Sequence, residues 1–139
     1  TEIFINNEKK DFKKNFRPKE EGLYIIKIKF KDINLVNCYK MFYMCKYINK
    51  IDLSSFNSCN ITNMSFMFSD CTNLTIINIS HFNAEKVLDI SNIFYNCSNL
   101  KYVNLSSFKT KMLTNMQNMF TLFYLKLIFQ ILIHNLFPI

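Results

Sequence analysis

Residues 71–96 read CTNLTIINISHFNAEKVLDISNIFYN, and the segment before them, residues 45–70, reads CKYINKIDLSSFNSCNITNMSFMFSD. The two segments align without a gap, and residues 97–120, CSNLKYVNLSSFKTKMLTNMQNMF, continue the pattern. Each segment begins with a cysteine, so that Cys45, Cys71 and Cys97 are evenly spaced along the chain. A fixed period of about 20 to 50 residues is the sequence signature of a repeat protein. The sequence therefore predicts a short array of stacked 26-residue units.

The first half of each unit predicts a short strand. Leu74, Ile77 and Ile79 follow the L-x-x-L-x-L spacing of leucine-rich repeats, in which alternate strand residues point into the core. The second half predicts a short helix, because Val87, Ile90 and Ile93 recur at a spacing that gathers apolar residues on one helix face. The expected fold class is an α/β repeat, a short leucine-rich-repeat solenoid with one strand and one short helix per unit.

A phenylalanine occupies the position at which leucine-rich repeats usually carry an asparagine. It is Phe56, Phe82 and Phe108 in successive units. A stacked phenylalanine spine is therefore expected in place of the usual asparagine ladder.

The repeat pattern divides the chain into six predicted segments. They are an N-terminal cap with an entering strand at 1–34, a half repeat at 35–44, repeat A at 45–70, repeat B at 71–96, repeat C at 97–120, and an apolar non-repeat tail at 121–139. The entering strand is predicted because Tyr24, Ile26 and Ile28 alternate with less apolar positions. A cap is expected since the first coil of an array otherwise exposes its apolar side.

The tail has three interpretations. It is largely apolar, but Lys126, Gln130 and His134 form one polar stripe at helical spacing. It is a helix that covers the open end of the array, a membrane anchor, or a non-native extension from an unspliced intron or a frameshift. A membrane-spanning helix needs about 20 predominantly apolar residues, which this stretch barely supplies.

The positive charge of the chain is concentrated near its N-terminus. The formal net charge is +7, and residues 1–50 hold 12 Lys or Arg against six acids, whereas residues 51–139 hold five against four. Basic and acidic residues alternate in the N-terminal segment, which is typical of a solvated surface. A nucleic-acid partner is therefore not expected.

No residue pattern indicates catalysis, a cofactor or a metal. Cys45, Cys71 and Cys97 lie one repeat apart and form no C-x-x-C pair, so they are expected to stack as a buried column. A bridge between Cys38 and Cys59 stays open for an oxidising compartment. The single glycine excludes a glycine-rich phosphate loop. The chain is expected not to be an enzyme.

The outward strand positions form the candidate binding face, because repeat arrays present such columns as a continuous surface. An interface anchor is expected at its one aromatic residue, Tyr102. The nine residues are Lys50, Asp52, Ser54, Ile76, Asn78, Ser80, Tyr102, Asn104 and Ser106.

Residues 23–120 resemble the BspA-like leucine-rich repeats, also described as 26-residue-repeat surface proteins. The most specific parts are N-x-T-N-M-S-x-M-F, complete at Asn60 to Phe68, and C-[ST]-N-L, which begins at Cys71 and again at Cys97. Repeat B departs most, with Asp89 in the position of Asn63. The resemblance implies proteins of bacteria, mycoplasmas and unicellular eukaryotes that are often on the cell surface and are linked to adhesion or antigenicity.

The leading hypothesis is therefore a non-catalytic protein-interaction or adhesion module, at the cell surface or secreted. Its expected partner is a protein or a glycan, and membrane contact is expected only through residues 121–139. Two alternatives stay open: an intracellular repeat scaffold with free thiols, and a truncated gene product without a function of its own.

Overall fold

The computed structural model describes residues 2–11, 20, 22, 24–29, 36–79, 81–105 and 111–120. The chain divides into two compact units, Thr1–Asn34 and Leu35–Ile139. Within the described residues the regular secondary structure is entirely β. The strands are β1 (Glu2–Ile5), β2 (Glu8–Lys10), β3 (Ile26–Lys29), β4 (Lys50–Asp52), β5 (Ile76–Asn78) and β6 (Tyr102–Asn104).

The first unit contains a three-stranded antiparallel sheet in the order β2-β1-β3. Asn6 and Asn7 connect β1 to β2 with φ angles of 49° and 69°. Two successive left-handed residues form the hairpin turn whose twist matches that of the strands, and asparagine tolerates this conformation. The backbone N–H of Asn6 donates to the carbonyl of Ile25 and its Oδ1 accepts from Ile25 N, both at 2.9 Å. Asn6 therefore fastens the hairpin to the segment that leads into β3.

The second unit contains a three-stranded parallel sheet in the order β4-β5-β6. Ile51 pairs with Ile77 and Ile77 with Val103, so each step across the sheet is one 26-residue repeat. All three side chains are buried. The repeat period found in the sequence is thus the register of the sheet.

The prediction of one short helix per unit is wrong for the described residues. The N–H groups of Met64, Phe66 and Phe68 donate to carbonyls of the next repeat at 2.9 to 3.0 Å, whereas helix bonds would join residues four apart. The same pattern continues into the third repeat, where Ile90 N donates to the carbonyl of Asn115 at 2.9 Å. This half of each unit is therefore a second parallel ladder between stacked repeats.

Consecutive tight turns explain why the sequence resembled a helix here. Met67 N donates to the carbonyl of Met64 at 3.1 Å, Cys71 N to that of Phe68 at 3.2 Å, and Leu74 N to that of Cys71 at 3.0 Å. Each turn advances the chain by three residues and returns an apolar side chain to the core. A series of such turns has nearly the apolar spacing of a helix face.

Each unit also contains two left-handed backbone positions that recur once per repeat. One column has φ angles of 51° to 57° and the other of 55° to 61°. The first column is Lys40, Phe66, Asn92 and Asn118, and the second is Met44, Asp70 and Asn96. These residues bend the chain between successive turns, a conformation that few residues other than Gly, Asn and Asp adopt at low cost.

Stacked phenylalanine rings run through the core of the second unit. Phe82 lies 5.8 Å from Phe56, with the ring planes 16° apart. Phe108, the third member of the predicted spine, lies outside the described residues. A second column repeats the arrangement with centroid separations of 5.4 to 5.6 Å. It consists of Phe42, Phe68, Phe94 and Phe120.

Candidate binding face

The outward positions of the parallel sheet form two in-register columns. The strand pattern alternates, since Ile51 is buried between exposed Lys50 and Asp52. The pairing places the equivalent residues of β5 and β6 beside them. The first column is Lys50, Ile76 and Tyr102, and the second is Asp52, Asn78 and Asn104.

The first column carries the apolar part of the face. Ile76 is 39% exposed and Tyr102 is 55% exposed. Because parallel strands lie about 4.8 Å apart, these two side chains and Lys50 occupy adjacent rungs. The exposed surface of this column therefore carries an aliphatic, an aromatic and a cationic side chain next to one another.

The second column carries hydrogen-bonding groups. Asp52 Oδ1 accepts a bond from Ser54 N at 2.9 Å and one from Asn78 Nδ2 at 3.3 Å. The backbone bond from Ser54 is the main cause that holds the pKa of the Asp52 carboxyl below its usual value. The carboxylate is therefore ionised at neutral pH and lies beside an amide, a pair that offers both an acceptor and a donor.

The third predicted column is only partly within the described residues. Ser54 is half-buried and its backbone N–H donates to Asp52 Oδ1, whereas Ser80 and Ser106 lie outside the described residues. The backbone of Asn104 is placed in β6. The strand register brings six of the nine predicted residues into two columns, and their role in binding stays a prediction.

A column of side-chain caps was not recognised in the sequence. In four successive coils an Asn or Asp Oδ1 accepts the N–H of the residue two positions later, at 2.7 to 3.1 Å. The residues are Asn37, Asn63, Asp89 and Asn115, and their backbones form isolated parallel bridges with one another. Their recurrence once per repeat was the signal available. Asp89 is therefore no departure from Asn63, because the two residues provide the same acceptor.

The cysteine column is buried at two of its three predicted positions. Cys71 and Cys97 are buried and Cys45 is half-buried, and all five cysteines are free thiols. Cys71 Sγ donates to the carbonyl of Phe42 and Cys97 Sγ to that of Phe68, each at 3.0 Å. Burial raises the pKa of both thiols to about 12. These groups therefore contribute to packing and stay protonated at neutral pH.

A group of aromatic residues around Lys40 was also missed. Tyr39, Tyr43 and Phe66 have rings within 5.6 Å of its Nζ. The contact with Phe66 crosses from one coil to the next, so spacing within one repeat does not reveal it.

The described residues offer neither a metal cluster nor a membrane-crossing helix. Among the described His, Cys, Asp and Glu residues, no three lie together in a way that would hold a metal ion. Likewise, no helix of the described segments has the length and apolar character needed to cross a bilayer.

Parallel strands in a 26-residue register and stacked phenylalanine columns give the second unit a repeat-like architecture. Residues 10–124 match the family described as "Mycoplasma protein of unknown function, DUF285", and the chain belongs to this family. Comparison with the curated proteins and with the solved structures returned no match.

Proposed function

We propose that the chain is a non-catalytic protein-interaction or adhesion module of the BspA-like type, acting at the cell surface or after secretion. Its second unit would be a short leucine-rich-repeat solenoid whose outward strand columns bind a protein or a glycan. The observation that carries this proposal is the register of β4, β5 and β6, which aligns Lys50, Ile76 and Tyr102 on one exposed line.

The composition of the face supports an interaction role. Tyrosine is enriched among residues that contribute most to binding energy, and its rigid ring buries a large area at low entropic cost. The neighbouring column supplies an ionised carboxylate at Asp52 and an amide at Asn78. An apolar line beside a polar line matches the mixture of anchor and specificity groups found in interfaces.

Three of the five thiols are unsuited to act as the nucleophile of an enzyme. A cysteine nucleophile acts as a thiolate and therefore needs a lowered pKa and access to solvent. Cys38, Cys71 and Cys97 have the opposite properties, since each is buried with a pKa raised to about 12.

The binding role is tested by screening the labelled full chain against immobilised glycans and short peptides. Tyr102→Ser is expected to weaken the binding of at least one selected ligand, because it removes the aromatic anchor of the face. Tyr95→Ser is the matched control, since Tyr95 is 41% exposed and lies outside the two columns. Equal loss in both variants, or unchanged binding of every selected ligand by Tyr102→Ser, would contradict the proposed face.

The surface location is tested by adding protease to intact cells that express the chain. Cleavage without lysis supports exposure at the surface. Complete protection, together with cleavage after lysis, would exclude it.

A second candidate function is an intracellular repeat scaffold, which the five free thiols favour. This alternative expects five reactive thiols when the chain purified from its source is unfolded without reductant. Detection of any disulfide would rule it out and would favour the extracellular assignment.

A further inference from the structure

Lys40 lies at the centre of an exposed aromatic group in the second unit. Its Nζ is 4.8 Å from the ring centroid of Tyr43, 5.2 Å from that of Tyr39 and 5.6 Å from that of Phe66. Tyr39 and Phe66 also meet edge to face, with centroids 6.1 Å apart. These separations lie within the roughly 6 Å over which a ring attracts a cation. We call Tyr39, Lys40, Tyr43 and Phe66 the Lys40 cluster.

The backbone at two of these residues is in a conformation that their side chains disfavour. Lys40 and Phe66 have φ angles of 56° and 57°, and the next coils carry Asn92 and Asn118 in the same column. Asparagine enters this region readily, whereas long and aromatic residues do so at a cost. Such local strain is concentrated at functional sites. In the first two coils this left-handed position is therefore occupied by Lys40 and Phe66, which adopt it at a cost and whose side chains form the cluster.

The charge of Lys40 is held among the rings and has no acidic partner in the described part of the chain. In the part of the chain that the structure describes, the ion pairs use Lys9, Lys10 and Lys111, and none uses Lys40. Residues 36–51 contain three lysines and no Asp or Glu. The rings fix the ammonium group but add no negative charge. Its N–H donors are therefore available to an anion from outside the chain.

The neighbouring rings favour a polypeptide as the source of that anion. Tyr39 is 49% exposed, and Tyr43 and Phe66 are partly exposed. Exposed tyrosines beside a fixed charge form the mixed surface that is typical of protein interfaces. A lysine already held by contacts also loses less side-chain freedom on binding than a mobile one.

We propose that the Lys40 cluster is a docking site for an acidic polypeptide segment of a partner protein. A partner carboxylate pairs with Lys40, and an adjacent apolar side chain packs on Tyr39 and Tyr43. The cluster shares no residue with the candidate binding face, so this inference does not depend on the function proposed for that face.

The ligand class is tested by panning a phage library of short random peptides on the full chain. Peptides that combine Asp or Glu with apolar residues are expected to be enriched. Enrichment of peptides without acidic residues, or of none, would overturn the proposal. The best peptide is then compared with oligo-dT and with an oligogalacturonate. Tighter binding of either through Lys40 would show that the site takes another class of anion.

Lys40→Asn provides the decisive variant, because it installs the residue found in the later coils of the same column. The selected peptide is expected to bind roughly tenfold more weakly. The unfolding midpoint in urea is expected to stay the same or rise, since the backbone strain is relieved. A lower midpoint would refute the strain argument, and unchanged peptide binding would refute the site.

Lys101→Asn is the matched control, because it removes the same charge from an exposed lysine in a later repeat. Peptide affinity is expected to change by less than about twofold, the weak effect typical of a peripheral charge. Equal losses at Lys40 and Lys101 would indicate nonspecific attraction to a basic protein and would overturn the proposal.

Discussion

Asn63 and Asp89 occupy the same position in successive repeats and perform the same task. Asn63 Oδ1 accepts the N–H of Ser65 at 2.8 Å, and Asp89 Oδ1 accepts that of Ser91 at 2.7 Å. The amide and the carboxylate differ in charge but share this oxygen acceptor. At the scale of single residues, this position therefore requires an oxygen acceptor on a side chain of this length, and Asn and Asp both provide it.

Substitution of Asp89 tests the role of this acceptor. Asp89→Ala is expected to lower the free energy of unfolding by about 1 to 3 kcal/mol, because the half-buried turn loses a hydrogen bond to a charged group. Asp89→Asn is expected to retain most of that stability. The measurement is urea unfolding followed by circular dichroism. A loss of the same size in both variants would show that charge, and not the acceptor geometry, stabilises the turn.

The buried thiols give the stability of the chain a dependence on alkaline pH. The pKa values of Cys38, Cys71 and Cys97 rise from 9.0 to about 12 on burial. Between these values the unfolded chain releases thiol protons that the folded chain retains, so stability falls as pH rises. Below the unfolded value both states keep these protons and the contribution is constant.

The measurement is a set of thermal unfolding midpoints from pH 7 to pH 11, compared between the natural chain and Cys71→Ala. The variant is expected to lose less stability over the alkaline range, although it is less stable at neutral pH because of the lost packing. Parallel curves for the two proteins would show that Cys71 keeps an ordinary pKa in the folded state.

At the scale of the element, the alternation and the 26-residue offset were sufficient to place β4, β5 and β6 and their register. The helix prediction was wrong because the spacing of apolar residues indicates only which side chains point inward. It does not distinguish a helix from a series of three-residue turns. The recurring left-handed positions were the missing information. Their occupants in one column are Lys40, Phe66, Asn92 and Asn118, and only the asparagines suggest such a conformation.

The candidate sites differ in how far the sequence could define them. The outward strand columns follow from the alternation together with the 26-residue offset, so Lys50 and Tyr102 could be assigned to one line before the fold was known. The Lys40 cluster could not be assigned. Its geometry depends on the backbone at Lys40 and on the contact with Phe66 in the next coil.

The phenylalanine columns provide the clearest test at this scale. Phe82 is 1% exposed and stacks on Phe56, so Phe82→Ala is expected to cost about 3 to 5 kcal/mol of folding free energy. Phe56→Ala is expected to cost less, because Phe56 is only partly buried. Urea titration of both variants gives the comparison. A cost below about 1 kcal/mol at Phe82 would be typical of an exposed position and would contradict its burial.

At the scale of the whole second unit, stability depends on keeping every coil in register with the next. Insertion of a further copy of residues 71–96 after Asn96 preserves each strand pair and each turn. The unfolding midpoint in urea is expected to rise, since one more pair of stacked coils is formed. The slope of the transition is expected to steepen because more surface is buried.

The matched control inserts residues 72–96, which is one residue shorter. This copy shifts the strand alternation by one position and turns inward side chains towards solvent. A lower midpoint or loss of a cooperative transition is therefore expected. Equal stability of the two insertions would show that the coils do not require the 26-residue register.

The hydrogen bonds between coils also determine how far apart in sequence the segments that must pair during folding lie. Cys38 N reaches the carbonyl of Asn63, Met64 N that of Asp89, and Ile90 N that of Asn115, so each bond joins one coil to the next. The loop that must close is therefore the same at every step. A longer chain of this design would have a lower relative contact order, because its contacts would not become more distant along the sequence. Added repeats would lengthen the array without requiring the closure of any longer loop. Folding therefore places no penalty on a change in the number of repeats.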